Sequence, residues 1–253
     1  MAWDPSTYLA FADERTRPAA ELLARVPDES PARVIDLGCG PGNSTALLRA
    51  RWTGAQIEGL DSSADMLAQA RKSGVAADWI QAEIATWSAS SPYDVIFSNA
   101  TFQWLGDHIA LLPRLIGFVK PGGVFAFQVP HNMDAPSHVL MRETAAQGPW
   151  SAKLRGVREV QVLAPAAYYD ILSPHAAALD IWETEYLHLL KGEDAVYHWV
   201  SGTGLRPFVQ ALDGAEREAF IADYKRHLNE AYPRRAGGTT LFPFRRLFVV
   251  ARR

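Results

Sequence analysis

The run Val34-Ile35-Asp36-Leu37-Gly38-Cys39-Gly40-Pro41-Gly42-Asn43 constrains the fold more than any other stretch of this 253-residue chain. A short apolar segment enters three glycines at alternate positions, the pattern of a buried strand that turns sharply into a helix. Residues 44–52 (STALLRARW) then carry helical spacing in Ala46, Leu47, Leu48 and Ala50. Residues 56–61 and 79–83 read as the second and third strands. Between them Ser62 or Ser63 caps a helix whose body is 66–71. Residues 93–98 and 123–129 are the fourth and fifth strands, the fifth fed by the tight turn Lys120-Pro121-Gly122-Gly123.

Strands separated by helices predict a parallel sheet covered on both faces. Residues 179–190 and 247–252 supply a sixth and a seventh strand, with a mostly helical insertion, 193–232, between them. An irregular insertion, 130–165, follows strand five. The expected fold class is α/β: a Rossmann-like seven-stranded, mostly parallel sheet with helical insertions forming a lid. Residues 1–130 are expected to hold an N-terminal cap and the ligand-binding core. Residues 131–253 hold the remainder of the same domain, the insertions and the last two strands.

Composition narrows the function classes. The chain is 48% hydrophobic and 21% charged, as expected of an enzyme with a buried core. A net charge of −3 gives no bulk attraction to nucleic acid or an anionic membrane. No apolar stretch approaches the roughly 20 residues that span a bilayer. The single cysteine, Cys39, cannot form an internal disulfide and reads as a small buried residue of the glycine turn. The opening MAWDPSTYLAF shows no basic stretch leading into an apolar run, so the expectation is a cytoplasmic protein. The seven histidines form no pair at ligand spacing beside acids, and no metal is expected.

The glycine turn also discriminates between ligands. A dinucleotide loop has the form G-x-G-x-x-G, because its helix N-terminus holds a pyrophosphate. Here the third glycine arrives one residue early, at Gly42, and Asn43 follows it. Asp61 closes strand two, 19 positions after Gly42. That is near the offset of about 20 at which Rossmann acids meet ribose hydroxyls. A carboxylate accepts both hydrogen bonds of a vicinal diol. Glu83 closes the third strand and Asn99 ends the fourth.

These residues resemble the class I S-adenosylmethionine-dependent methyltransferases, whose first motif is an acid followed by G-x-G-x-G. The resemblance implies S-adenosyl-L-methionine as cofactor and S-adenosyl-L-homocysteine as product. It gives Asp36, Gly38, Cys39, Gly40, Gly42, Asn43, Asp61, Ser62, Met66, Glu83, Ile84 and Asn99 as the cofactor-binding set. The turn would approach the methionyl part and Asp61 the ribose. Glu83 would lie near the adenine, where the family usually has Asp, and Asn99 where this fold meets the transferred methyl. Enzymes that methylate base amino groups carry Asn or Asp-Pro-Pro-aromatic at that point. Asn99-Ala100-Thr101-Phe102 departs from it, which argues against a nucleic-acid partner.

Further segments are similar to the trans-aconitate methyltransferases. They are Trp3 to Leu9, Glu14 to Ala19, Pro136 to Glu143, Tyr168 to Leu172, Trp199 to Pro207 and Arg246 to Arg253, so the likeness runs almost end to end. It implies a small-molecule tricarboxylate substrate and a monomethyl ester product. A carboxylate with a pKa of about 4 is ionised at neutral pH, so no general base is required and the enzyme's task is positioning. A trianion favours planar, bidentate donors. The substrate-binding candidates are Arg15, Arg17 and Arg206, with Tyr8, Tyr168 and His138 as auxiliary donors. Arg15 and Arg17, two apart, cannot share a helix face. The alternatives are a methyltransferase for another small acid or an acyl-carrier thioester, and a cofactor-binding protein without turnover. A monomer is expected.

Overall fold

The computed structural model describes residues 16–157, 160–202 and 204–253. Its sheet is built around β1 (Arg33–Leu37), whose last four residues are buried, as a strand covered on both faces requires. β1 pairs in parallel with β2 (Gln56–Asp61) on one side and β4 (Tyr93–Asn99) on the other. β3 (Asp78–Gln81) pairs in parallel with β2, and β5 (Val119–Pro130) with β4. With β6 (Ala178–Lys191) and β7 (Thr239–Arg252) the order is β3-β2-β1-β4-β5-β7-β6. β7 runs antiparallel to β5, with Gln128 opposite Phe248 and Pro130 opposite Arg246. The expected α/β fold with seven strands is therefore present. The order reverses between β1 and β4, and the crevice beyond the carboxyl ends at such a point is where open α/β sheets bind ligands.

The helices, in chain order, begin with α1 (Arg17–Ala24), α2 (Asn43–Arg51), α3 (Ala64–Lys72) and α4 (His108–Ile116). They continue with α5 (Pro136–Gln147), α6 (Ser151–Leu154), α7 (Pro165–Leu172), α8 (Ala195–Ser201), α9 (Arg206–Gln210) and α10 (Gly214–Ala231). Of the two cap candidates Ser63 is the one used: its hydroxyl accepts from Met66 N–H at 3.3 Å. Asp65 in the first turn of α3, and Arg71 and Lys72 in the last, match the helix dipole.

Three expectations need correction. The 130–165 segment is not irregular, since α5 and α6 lie within it. β5 begins at Val119, before the glycines; the expected turn becomes an irregularity in its pairing with β4, between Tyr93 and Val95. There Gly123 lies so close to the neighbouring strand that a Cβ would fall 2.6 Å from the Asp94 carbonyl oxygen. β7 begins at Thr239, eight residues before the expected start.

The chain divides into two compact units. The first comprises the described residues up to Pro130 together with Gln161–Thr184 and Arg246–Arg253. Its core includes Ile35, Leu37, Leu60, Ile96, Phe102, Leu112, Phe125, Phe127 and Val249, all essentially unexposed. The second comprises His131–Val160 and Glu185–Arg245, around Met141, Trp150, Leu205, Phe220, Tyr224 and Phe242. In it the Tyr224 hydroxyl donates to the Ser137 carbonyl (2.7 Å), and Ser137 N–H donates to the Tyr232 hydroxyl (3.1 Å). Those two bonds fix the first turn of α5. Among the described residues no helix is long and apolar enough to cross a membrane.

Candidate functional site

The glycine elbow after β1 is held from below and from the side. Gly38, Gly40 and Gly42 all have positive φ, at 72°, 54° and 95°. At Gly38 the requirement is steric as well, because a Cβ would fall 2.2 Å from the Thr101 side chain. Gly38 and Cys39 N–H donate to the Leu60 carbonyl at 2.7 and 3.0 Å, tying the elbow to the end of β2. Gly40 N–H donates to Asp61 Oδ2, and Ser63 N–H to Asp61 Oδ1, both at 2.9 Å. Each Asp61 oxygen thus accepts one backbone bond and keeps a lone pair, and the carboxylate is only half-buried. A pair of parallel acceptors beside an open glycine turn suits a vicinal diol. Open space surrounds Gly40, where an added Cβ meets nothing within 4 Å.

Asp36 lies beneath the elbow, fully buried. Its Oδ2 accepts from the hydroxyls of Ser44 and Thr45, each at 2.7 Å, which anchors the start of α2. Its Oδ1 is buried without a hydrogen-bond partner. Burial raises the carboxyl to about 6, against the two hydroxyl bonds that lower it. Cys39 is buried, and burial pushes its thiol well up, so it stays protonated. Asn43 opens α2 and is exposed.

The sequence placed Glu83 at the end of a strand; the structure ends β3 at Gln81. Ala82 N–H still donates to the Asp61 carbonyl (3.2 Å), and then the chain turns. Glu83 is exposed in that turn, and its carbonyl accepts from Thr86 and Trp87 N–H. Ile84 beside it is buried, while Met66 is 40% exposed and Ser62 is exposed. Arg114 of α4 holds this turn in place. Its guanidinium donates to the Ile84 (2.6 Å), Ala85 (3.0 Å) and Trp87 carbonyls.

Asn99 ends β4 opposite Gln128. Gln128 Nε2 donates to Asn99 Oδ1 (2.5 Å), and Ala100 N–H donates to the Gln128 carbonyl (3.0 Å). Ala100 has φ 54°, a left-handed conformation that costs a non-glycine residue about 1–2 kcal/mol. The segment is held there by Gln103 Nε2 on the Ala100 carbonyl (2.6 Å) and Thr101 Oγ1 on the Gly38 carbonyl (3.2 Å). Thr101, Arg114 and Trp79 escaped the sequence reading. Trp79 packs over β2 and against the elbow: an added Cβ on Gly59 would lie 2.5 Å from its ring and one on Gly42 3.1 Å. Each acts through a partner distant in sequence, so no local pattern marks it.

The substrate candidates are dispersed. Tyr8 and Arg15 lie outside the described residues. Arg17 opens α1 and is exposed. Tyr168 is fully buried: its hydroxyl faces His108 Nδ1 (3.0 Å) and accepts from Leu163 N–H (3.3 Å), so it serves the core of the first unit. In the second unit Arg206 opens α9 and is exposed. His138 there has Ser137 Oγ 3.3 Å from Nδ1, and an added Cβ on Gly204 would lie 3.4 Å from Nε2. Burial and then the Arg142 charge lower His138 to about 4, so at neutral pH it offers a hydrogen bond and no charge.

A family model described as a methyltransferase domain matches residues 11–177. A trans-aconitate 2-methyltransferase of Azoarcus sp. (strain BH72) is 52% identical over 250 residues, covering 98% of both chains. One of Streptomyces avermitilis is 51% identical over 260 residues, covering 99% of this chain and 96% of the relative. The chain belongs to the trans-aconitate 2-methyltransferase family. Among solved structures the YcgJ protein of Bacillus subtilis aligns at TM-score 0.63, with 14% identity, over 93% of this chain and 97% of that one. A Haemonchus contortus phosphoethanolamine N-methyltransferase, in complex with S-adenosylhomocysteine, aligns at TM-score 0.55 and 15% identity over 93% of this chain and 52% of its own. At such identities the likeness concerns the fold alone.

Proposed function

We propose that this chain transfers a methyl group from S-adenosyl-L-methionine to one carboxylate of trans-aconitate, giving the monomethyl ester and S-adenosyl-L-homocysteine. The observation that carries this reading is the near end-to-end identity of about half its residues with relatives of that name. The geometry of the first unit supports the cofactor: an open glycine turn, a carboxylate with paired acceptors at Asp61, and buried negative charge at Asp36. When bound, the cofactor supplies an electrophilic methyl on a sulfonium.

In this reading Gly38, Cys39, Gly40, Gly42 and Asn43 line the methionyl end, and Asp36 gives electrostatic support from beneath. Asp61 and Ser62 take the ribose. Met66, Glu83 and Ile84 flank the adenine, and Asn99 faces the methyl. The acceptor carboxylate needs no base, only desolvation and alignment, which can supply roughly 7–11 kcal/mol in well-oriented systems. Arg17 of the first unit is the described cation proposed to bind a remaining carboxylate. Arg206 and His138 belong to the second unit, and Arg206 is tested separately by substitution. The substrate is diffusible and the setting cytoplasmic, with no call on nucleic acid.

Incubation with methyl-labelled cofactor and a panel of tricarboxylates tests the proposal. Base-labile label on trans-aconitate is the expected result. Label on a different acid alone would replace the substrate, and transfer to no acid would leave a cofactor-binding protein.

A further inference from the structure

Arg246 is a cation only 5% exposed, placed opposite Pro130 at the carboxyl end of β5. Its Nη1 donates to Gln128 Oε1 at 3.2 Å, and Gln128, 1% exposed, passes a bond on from Nε2 to Asn99 Oδ1 at 2.5 Å. The direction of this chain is dictated by chemistry. A guanidinium has donors only, so the Gln128 atom facing it is the oxygen. The Gln128 amide nitrogen therefore faces Asn99, and the Asn99 atom that receives it is again the oxygen. Asn99 is left with its two Nδ2 hydrogens for whatever lies beyond the end of β4. Because arginine stays protonated across the working range of pH, that polarity does not change.

We propose that Arg246 and Gln128 are positioning residues that orient Asn99 with its N–H groups toward the methyl acceptor, so that the site selects an acceptor-only nucleophile such as a carboxylate. The inference rests on the reading of the chain as a carboxylate methyltransferase. An amine acceptor would need the opposite arrangement, an oxygen facing its N–H, and the relay denies that orientation to Asn99. The backbone is pinned to match. Ala100 N–H on the Gln128 carbonyl, and Thr101 Oγ1 sharing its hydrogen between the Gly38 (3.2 Å) and Asn99 (3.3 Å) carbonyls, hold the peptide unit that follows Asn99. The same residue type that would accept from an amine is thereby turned into a donor.

Gln128→Glu tests the relay. Glutamate still accepts from Arg246 but has no hydrogen to give, so Asn99 gains by turning Nδ2 toward it and Oδ1 toward the substrate. For the variant kcat/KM with trans-aconitate should fall roughly 100-fold or more, as for a charged group that loses its donor. Affinity for S-adenosylhomocysteine should stay within about threefold, since the elbow and Asp61 are untouched. Asn99→Asp is the second variant: nearly isosteric and still able to accept from Gln128, it sets a carboxylate against the acceptor and should lose kcat/KM with trans-aconitate to a similar extent. In wild-type protein carrying S-adenosylhomocysteine, addition of trans-aconitate should shift the Asn99 side-chain amide resonances, identified by their loss in Asn99→Asp. An active wild type with neither that shift nor a selective loss in Gln128→Glu would overturn the relay alone. A wild type that binds cofactor and methylates no carboxylate would overturn the functional reading and the relay with it.

Discussion

Replacing Asp36 with Asn should stabilise the ligand-free protein at neutral pH and leave it nearly unchanged in acid. The folded carboxyl sits at about 6, raised by complete burial from an ordinary value of 3.8. A carboxyl raised on folding makes the native state bind the extra proton between those two values, so stability falls as pH climbs from about 4 to about 6 and stays low above. About two pH units at ~1.4 kcal/mol each amount to about 3 kcal/mol, or roughly 6–12 °C in Tm for a chain of this size. Asn keeps an acceptor for the Ser44 and Thr45 hydroxyls and carries no charge to bury. Its amide nitrogen takes the place of Oδ1, which already lacks a partner. Thermal melts of both proteins across about pH 4.5 to 8 should therefore diverge with rising pH, the variant gaining. Parallel curves would show that Asp36 is not the titrating group described. The variant should also bind S-adenosyl-L-methionine more weakly, because the buried charge that costs stability is the one offered to a cation above it.

The remaining predictions concern the elbow and the acceptor. Asp61→Ala should weaken cofactor binding by about 1–3 kcal/mol in a protein that still folds, measured by titration; unchanged affinity would remove Asp61 from the site. Gly38→Ala should cost about 2–5 kcal/mol in unfolding free energy, since φ is 72° and the new methyl meets Thr101 at 2.2 Å; a cost under about 1 kcal/mol would contradict that geometry. Arg206→Ala should raise KM for the acid far more than for the cofactor, whereas equal losses in both would make the residue structural.

The core was legible because its signals are local. The elbow is written in glycine spacing, and Asp61 follows at a fixed offset at the end of an apolar run. What was not legible depends on partners far apart. Asn99, Gln128 and Arg246 lie on three strands, 29 and 118 positions apart, and only the sheet order brings them together. Helix α5 was missed for another reason. Its buried positions, Ser137, Met141, Thr144 and Ala145, have helical spacing, but two of the four are polar and blur the apolar period. Pro136 at its first turn was the signal available. The early start of β7 was hidden by Pro243, which demotes a strand reading although Phe242 and Phe244 on either side are buried. Tyr168 illustrates the converse: a tyrosine in a family-like segment whose hydroxyl turns inward to His108.

The central claim is that the β1 elbow and the carboxylate at the tip of β2 form one adenosyl pocket. Isothermal titration of well-folded protein with S-adenosylhomocysteine tests it without reference to any acceptor. A saturable heat at one site per chain, reduced in Asp61→Ala, is the result expected. No heat from wild-type protein that melts cooperatively would contradict the pocket and every assignment built on it.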